Sequence, residues 1–289
     1  MTNESATPGR VAALTALALC AFAGNSLLCR LALSHTAIDA ASFTTIRIVS
    51  GALMLLLIVQ LRAGPKHSAG SWPSALALFV YAAGFSFAYV RLTAGTGALL
   101  LFGAVQATMI TVGVVRGERL SALQSAGLLL AYGGLLFLVL PGLESPPLIS
   151  AALMIAAGLA WGVYSLRGKG AGDPIAVTTG NFVRAVPMSL IVSAVSLPNR
   201  SFDTTGVLCA VASGAIASGL GYAVWYTALR DLRATTAATV QLSVPLIAAA
   251  GGVVLLSEQL TARLSVAAIA ILGGVALVVL TRATHQVAE

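Results

Sequence analysis

The chain has 289 residues, of which 58% are hydrophobic and 9% charged. An ordinary soluble domain carries about 25% charged residues, so this composition excludes a water-solvated globule and points to a protein solvated by lipid. The net charge of +7 belongs mostly to the loops, and its distribution there argues against a nucleic-acid surface.

Transmembrane helices need roughly 20 mostly apolar residues. Ten such windows are predicted, at 10–33, 38–61, 72–91, 95–115, 121–140, 147–167, 174–197, 204–229, 234–256 and 261–281. The alternation of barrel strands is absent, and helices satisfy their own backbone hydrogen bonds in lipid. The expected fold class is therefore all-α integral membrane. The first window is too long for a signal-peptide core and lacks a convincing cleavage site, so it is expected to be retained as the first span.

A polar group near the middle of a span is costly and becomes a functional candidate by default. In chain order, the first span offers Asn25. The second carries Arg47, which lies three residues beyond Thr44 and shares its face. In the third, Tyr81, Phe85 and Tyr89 recur every fourth residue and form one stripe. Gln106 follows in the fourth span and Trp161 in the sixth, while the seventh pairs Asn181 with Arg184. In the eighth, Ser218 and Tyr222 share a stripe, and the row Ser213, Ala217 and Gly221 permits close helix contact. The ninth holds Gln241 and Pro245. Pro245 has no backbone N–H and its ring crowds the Gln241 carbonyl, so a kink with an exposed acceptor is expected, either as a fixed bend or as a hinge.

If these stripes face inward, Asn25, Tyr81, Tyr89, Gln106, Trp161, Ser218, Tyr222 and Gln241 line a mixed aromatic and amide cavity. Such a surface suits an amino acid, with apolar contact for its side chain and hydrogen bonds for its backbone ends. Ordinary helix packing is the competing reading for any single member. Arg47 and Arg184 also have two readings: holding a substrate carboxylate, or binding backbone carbonyls at a helix break. The structural reading is favoured because the arginine occurs in both halves of the chain. Three cysteines, Cys20, Cys29 and Cys209, form an odd set inside spans, which fits packing better than a disulfide framework or metal cluster. No metal, nucleotide or covalent cofactor is expected, and no obligatory protein partner is evident.

With the amino terminus placed in the cytoplasm, inner segments hold ten basic residues: Arg10, Arg62, Lys66, Arg116, Arg119, Arg167, Lys169, Arg230, Arg233 and Arg282. Outer segments hold four, Arg30, Arg91, Arg200 and Arg263. This is the positive-inside bias, and it predicts an inner-membrane protein with both termini cytoplasmic.

The stretch from Val114 to Leu140 is echoed by the stretch from Val254 to Leu280, with Glu118 matching Glu258, Leu120 matching Leu260 and Gly133-Gly134 matching Gly273-Gly274. Arg47 matches Arg184 at nearly the same spacing. Residues 1–145 and 146–289 thus read as two repeats of five spans each. Five is odd, so the second copy enters the membrane from the opposite side, an arrangement suited to alternating access around a central site. Glu118 and Glu258 then lie on opposite faces. Each precedes an N-cap candidate, Ser121 or Thr261, so a loop or capping role is expected.

At these residues the chain resembles the drug/metabolite transporter superfamily. Gly117-Glu118-Arg119-Leu120-Ser121, Glu258, the two glycine pairs, the two span arginines, Trp161-Gly162 and Pro245 resemble its ten-helix EamA-type members, and the whole pattern is similar to a YddG-like amino-acid exporter. The resemblance implies export of amino acids and related metabolites, with an aromatic preference possible among its substrates; other small metabolites, drugs or a passive channel are the alternatives. The first half has Ala23-Gly24 where the family often has Trp-Gly, and Val105 stands where the second half has Pro245, so the halves are expected to contribute unequally.

All nine acidic residues are expected at or beyond span ends, and His35, His67 and His285 fall in loops or tail. No carboxylate or imidazole is left at the midplane to carry a proton, so gradient-driven movement with little pH dependence is expected. Gly84-Phe85-Ser86-Phe87-Ala88 misses the G-x-S-x-G nucleophile turn, and no intramembrane histidine is available to activate Ser86. An enzyme is therefore not expected.

Overall fold

In a computed structural model, residues 8–62, 69–117, 119–168, 172–232 and 234–285 are described. Seven α-helices open the chain: α1 (Pro8–His35), α2 (Ala40–Leu61), α3 (Trp72–Tyr89), α4 (Ala94–Val115), α5 (Ala122–Val139), α6 (Leu148–Gly168) and α7 (Pro174–Val195). The rest of the helices are α8 (Thr204–Val211), α9 (Gly221–Leu229), α10 (Ala234–Gln241), α11 (Ser243–Leu256) and α12 (Ala262–His285). Ten stretches among the described residues are long and apolar enough to cross a membrane. Each overlaps one predicted window, so this is an all-helical, multi-pass membrane protein.

Helix starts follow local chemistry. Asp39, Ser71, Thr93, Ser121, Asp173 and Asp203 each accept a hydrogen bond from an early backbone N–H of the helix that follows. An N-cap of this kind is worth about 1 kcal/mol. Ser121 forms a full capping box with Gln124, and Thr261 accepts from the Leu264 N–H at 3.1 Å. Glu118 lies outside the described residues.

Two spans are interrupted. In the eighth, a π-helical stretch, Ala212–Leu220, separates α8 from α9. Its small residues let the backbone approach α2: a Cβ on Gly214 would sit 2.1 Å from the Arg47 carbonyl oxygen. In the ninth, α10 ends at Gln241 and α11 begins at Ser243, where Pro245 withholds its hydrogen bond from the Gln241 carbonyl. Leu242 N–H turns back to the Thr239 carbonyl at 3.1 Å, and the Ser243 hydroxyl donates to that of Val240 at 2.6 Å.

The main helix pairings recur when each span is exchanged with the one five places away. The second packs on the seventh, the fourth on the ninth and the fifth on the tenth. Contacts of the third with the sixth and seventh match those of the eighth with the first and second. At one end of the bundle, Arg30 pairs with Glu258 at 2.9 Å, and Glu258 also accepts from the Ala94 N–H at 2.8 Å. The Ser201 N–H donates to Asp39 there, and Arg263 donates to the Leu143 carbonyl. At the other end, Arg62 pairs with Asp173 at 3.1 Å and Arg167 donates to Ser74. The 22 residues of α4 rise about 33 Å, which places Arg116 and Gly117 across the bundle from Glu258.

Candidate functional site

Trp161 sits at the centre of an aromatic cluster drawn from five spans. Its ring lies 4.6 Å from Tyr81 on α3, 5.3 Å from Tyr222 on α9 and 5.2 Å from Tyr164 on its own helix. Phe22 of α1 and Phe182 of α7 close on Tyr222 at 5.8 and 6.1 Å. Edge-to-face and offset contacts at these separations are the favoured geometries for aromatic quadrupoles.

A polar chain runs through the same place. The Ser213 hydroxyl donates to Asn25 Oδ1 at 2.6 Å, and Asn25 Nδ2 reaches the Tyr81 hydroxyl at 3.4 Å. That hydroxyl accepts a second bond, from Arg47 Nη2 at 2.9 Å. Arg47 is 2% exposed, and its guanidinium lies 5.2 and 4.8 Å from the ring centres of Tyr81 and Phe85. Its Nη1 has no hydrogen-bond partner among the described residues, nor has the Ser218 hydroxyl, on a side chain that is likewise buried.

The sequence candidates therefore separate. Asn25, Tyr81, Trp161, Tyr222 and Arg47 meet, and Ser218 lies one turn before Tyr222. Tyr89 is carried to the end of α3, where its hydroxyl donates to the Ala94 carbonyl at 3.2 Å and its ring fills the space a side chain at Gly97 would need. Gln106 is buried in α4, three turns along from Gly95, which packs on Ala249 of α11. Gln241 is half-buried at the break before Pro245, which is itself buried.

The paired arginines do different things. Arg184 donates to the carbonyls of Ala69 and Gly180 at 3.2 and 2.9 Å, tying α7 to the segment before α3. Asn181 reinforces that tie by accepting from the Ser71 N–H at 2.9 Å. Arg47 instead turns toward the aromatic centre. Ser213 and Tyr164 were missed as site residues: Ser213 read as a small packing residue, and its partnership with Asn25 depends on the widened helix around it. Tyr164 was legible in principle, three residues from Trp161 and hence on its face. Among the described residues, no group of acidic, histidine or cysteine side chains is arranged to hold a metal. A separate cavity of about 360 Å³ lies between the start of α2 and the end of α7, lined by Thr45, Ser193, Arg200 and Phe202 among others.

Residues 148–280 match the EamA-like transporter family. Over 274 residues the chain is 56% identical to an uncharacterized protein of Pseudomonas aeruginosa, covering 94% of this chain and 96% of that one. It is 34% identical over 140 residues to the threonine/homoserine exporter RhtA of Salmonella typhimurium, 46% of each protein, and 26% identical over 264 residues to an uncharacterized transporter of Archaeoglobus fulgidus, 85% of this chain and 89% of that one. A solved crystal structure superposes with a TM-score of 0.66 at 18% identity, covering 93% of this chain and 98% of that one, and so shares the fold. Ten apolar spans, this match and these relatives lead to one conclusion: this is a multi-pass membrane protein whose second half, residues 148–280, matches the EamA-like transporter family.

Proposed function

We propose that the protein exports amino acids and related small metabolites across a bacterial inner membrane by alternating access, with an aromatic preference. Residues 1–145 and 146–289 act as two inverted repeats, with both termini cytoplasmic. The observation that carries this reading is the buried polar centre, where Asn25, Arg47 and Tyr81 from the first half meet Trp161, Ser213 and Tyr222 from the second. Hydrogen-bonding groups buried among aromatic rings are expensive to maintain in a membrane, and a polar substrate gives them a use. The likeness to a threonine/homoserine exporter over part of the chain supports a small, amino-acid-like cargo. The recurring helix pairings support two arrangements of similar energy, one open to each side. No described acidic residue lies within a span, so the substrate gradient, rather than a proton carried on an intramembrane carboxylate, drives the cycle.

Purified protein in proteoliposomes tests this directly by efflux of all twenty amino acids. Saturable efflux accelerated by substrate on the opposite side is expected of a carrier. Flux that rises linearly with concentration and ignores the opposite side would instead identify a channel.

A further inference from the structure

We infer that the central site binds its substrate by the carboxylate, between Arg47 Nη1 and the Ser218 hydroxyl, and prefers net anionic aromatic carboxylates to the corresponding zwitterions. The inference rests on the transporter reading above and adds the charge of the cargo.

Two orphaned polar atoms carry it. Arg47 Nη1 and Ser218 Oγ are the buried side-chain atoms near the aromatic centre that lack a partner among the described residues. Arginine stays charged in any protein environment, and it presents a planar fork of donors that fits a carboxylate. Here one arm of the fork is held by the Tyr81 hydroxyl at 2.9 Å and the other is bare. The stretch that carries Ser218 lies against α2, since Gly214, one turn earlier, meets the Arg47 carbonyl. Ser218 itself lies one turn before Tyr222 of the aromatic cluster, and its hydroxyl is a donor of the kind a two-oxygen ligand needs for its second oxygen.

The rest of the site argues against an ammonium. No described Asp or Glu lies in a span to receive one. The aromatic faces that serve elsewhere as cation sites are partly taken, because the Arg47 guanidinium already lies over Tyr81 and Phe85. An α-ammonium bound beside the carboxylate would bring a second positive charge near the guanidinium. A substrate without it, such as an arylalkanoate or a 2-oxo acid, neutralises the buried cation and leaves its ring to Trp161 and Tyr222.

This charge supplies a driving force. A site that takes up one negative charge and needs no proton moves that charge outward with each cycle. An inside-negative potential favours the movement by about 2.3 kcal/mol per charge at 100 mV, equivalent to about a 50-fold gradient.

The test uses the full chain in proteoliposomes with a potassium-valinomycin potential, comparing 3-phenylpropanoate, phenylalanine and phenethylamine. Counterflow of 3-phenylpropanoate is expected to exceed that of phenylalanine about tenfold and that of phenethylamine about a hundredfold or more, the scale set by breaking a buried charge pair. An inside-negative potential is expected to speed efflux of 3-phenylpropanoate and leave that of phenylalanine unchanged. Ser218→Ala should weaken 3-phenylpropanoate binding severalfold, and Arg47→Gln should abolish its preference over phenethylamine. Equal handling of acid and amine, or acid efflux indifferent to the potential, overturns the inference, and the wild-type comparison decides this even if Arg47→Gln does not fold. Saturable amino-acid flux without acid preference would leave the carrier standing and remove the anion site. Absence of saturable flux for any of the twenty amino acids or these probes would remove both.

Discussion

At the scale of single residues, short polar side chains follow local rules, whereas long ones obey their neighbours. Asp39 illustrates the first. Burial pushes its carboxyl up, but hydrogen bonds from the Ser42 backbone and side chain and from the Ser201 and Ala41 backbone outweigh that, holding it below the ordinary value of 3.8. A carboxylate with a depressed pKa stabilises the fold fully above its unfolded value and loses that effect as pH falls through its folded value. Asp39→Ala is therefore expected to lower the thermal midpoint in detergent at pH 7, by an amount corresponding to about 1 kcal/mol for the cap. The difference from wild type should narrow below about pH 4; a gap that widens on acidification would contradict this assignment. The arginines illustrate the second rule. Arg47 and Arg184 occupy matching sequence positions and suggest a common role, yet one reaches an aromatic centre and the other ties down backbone carbonyls. A long flexible side chain selects among partners that sequence spacing does not specify.

Among the elements, span positions were legible because twenty apolar residues bounded by capping chemistry leave little freedom. The interruption at Leu242 was legible too, since a proline in mid-span has a defined mechanical effect. The π-helical stretch was not. Its Ala, Ser and Gly content fits an ordinary close-packed α-helix equally well, and the π geometry is linked to its approach to α2. The stripe Tyr81, Phe85 and Tyr89 was correctly periodic, but eight residues also carry it about 12 Å along the helix, so its far end leaves the centre. Gly214 tests the approach to α2. Gly214→Ala places a methyl against the Arg47 carbonyl and Ser50 hydroxyl, both 2.1 Å from the new atom, and is expected to cost about 1–3 kcal/mol with a loss of transport. Gly133→Ala, which meets nothing within 4 Å, serves as the neutral comparison. Equal thermal midpoints for the two variants would show that the π-helical stretch does not lie so close to α2.

For the whole molecule, the decisive property is which ends share a face. The ties Arg30–Glu258, Asp39–Ser201 and Arg263–Leu143 gather one set of connections, and Arg62–Asp173 and Arg167–Ser74 gather the other. Single cysteines at Arg119 and Gln259, introduced after replacing the native three, are expected to react with an impermeant thiol reagent from opposite sides in intact cells, with position 119 reached from the cytoplasm. Labelling from the same side would end the inverted-repeat proposal. Orientation was legible in part, because basic residues cluster in alternate loops, but no sequence rule indicates how far the centre is closed by its own aromatic rings.

The uneven continuity of the spans has a mechanical consequence. The third and fourth cross as unbroken rods, whereas the eighth and ninth, which follow each other in the chain, carry a widened coil and a severed one. Bending stiffness is therefore unequally shared between the two sides of the bundle. A stroke that opens first to one face and then to the other would concentrate its deformation in that compliant pair, leaving α3 and α4 as the stationary frame against which it flexes.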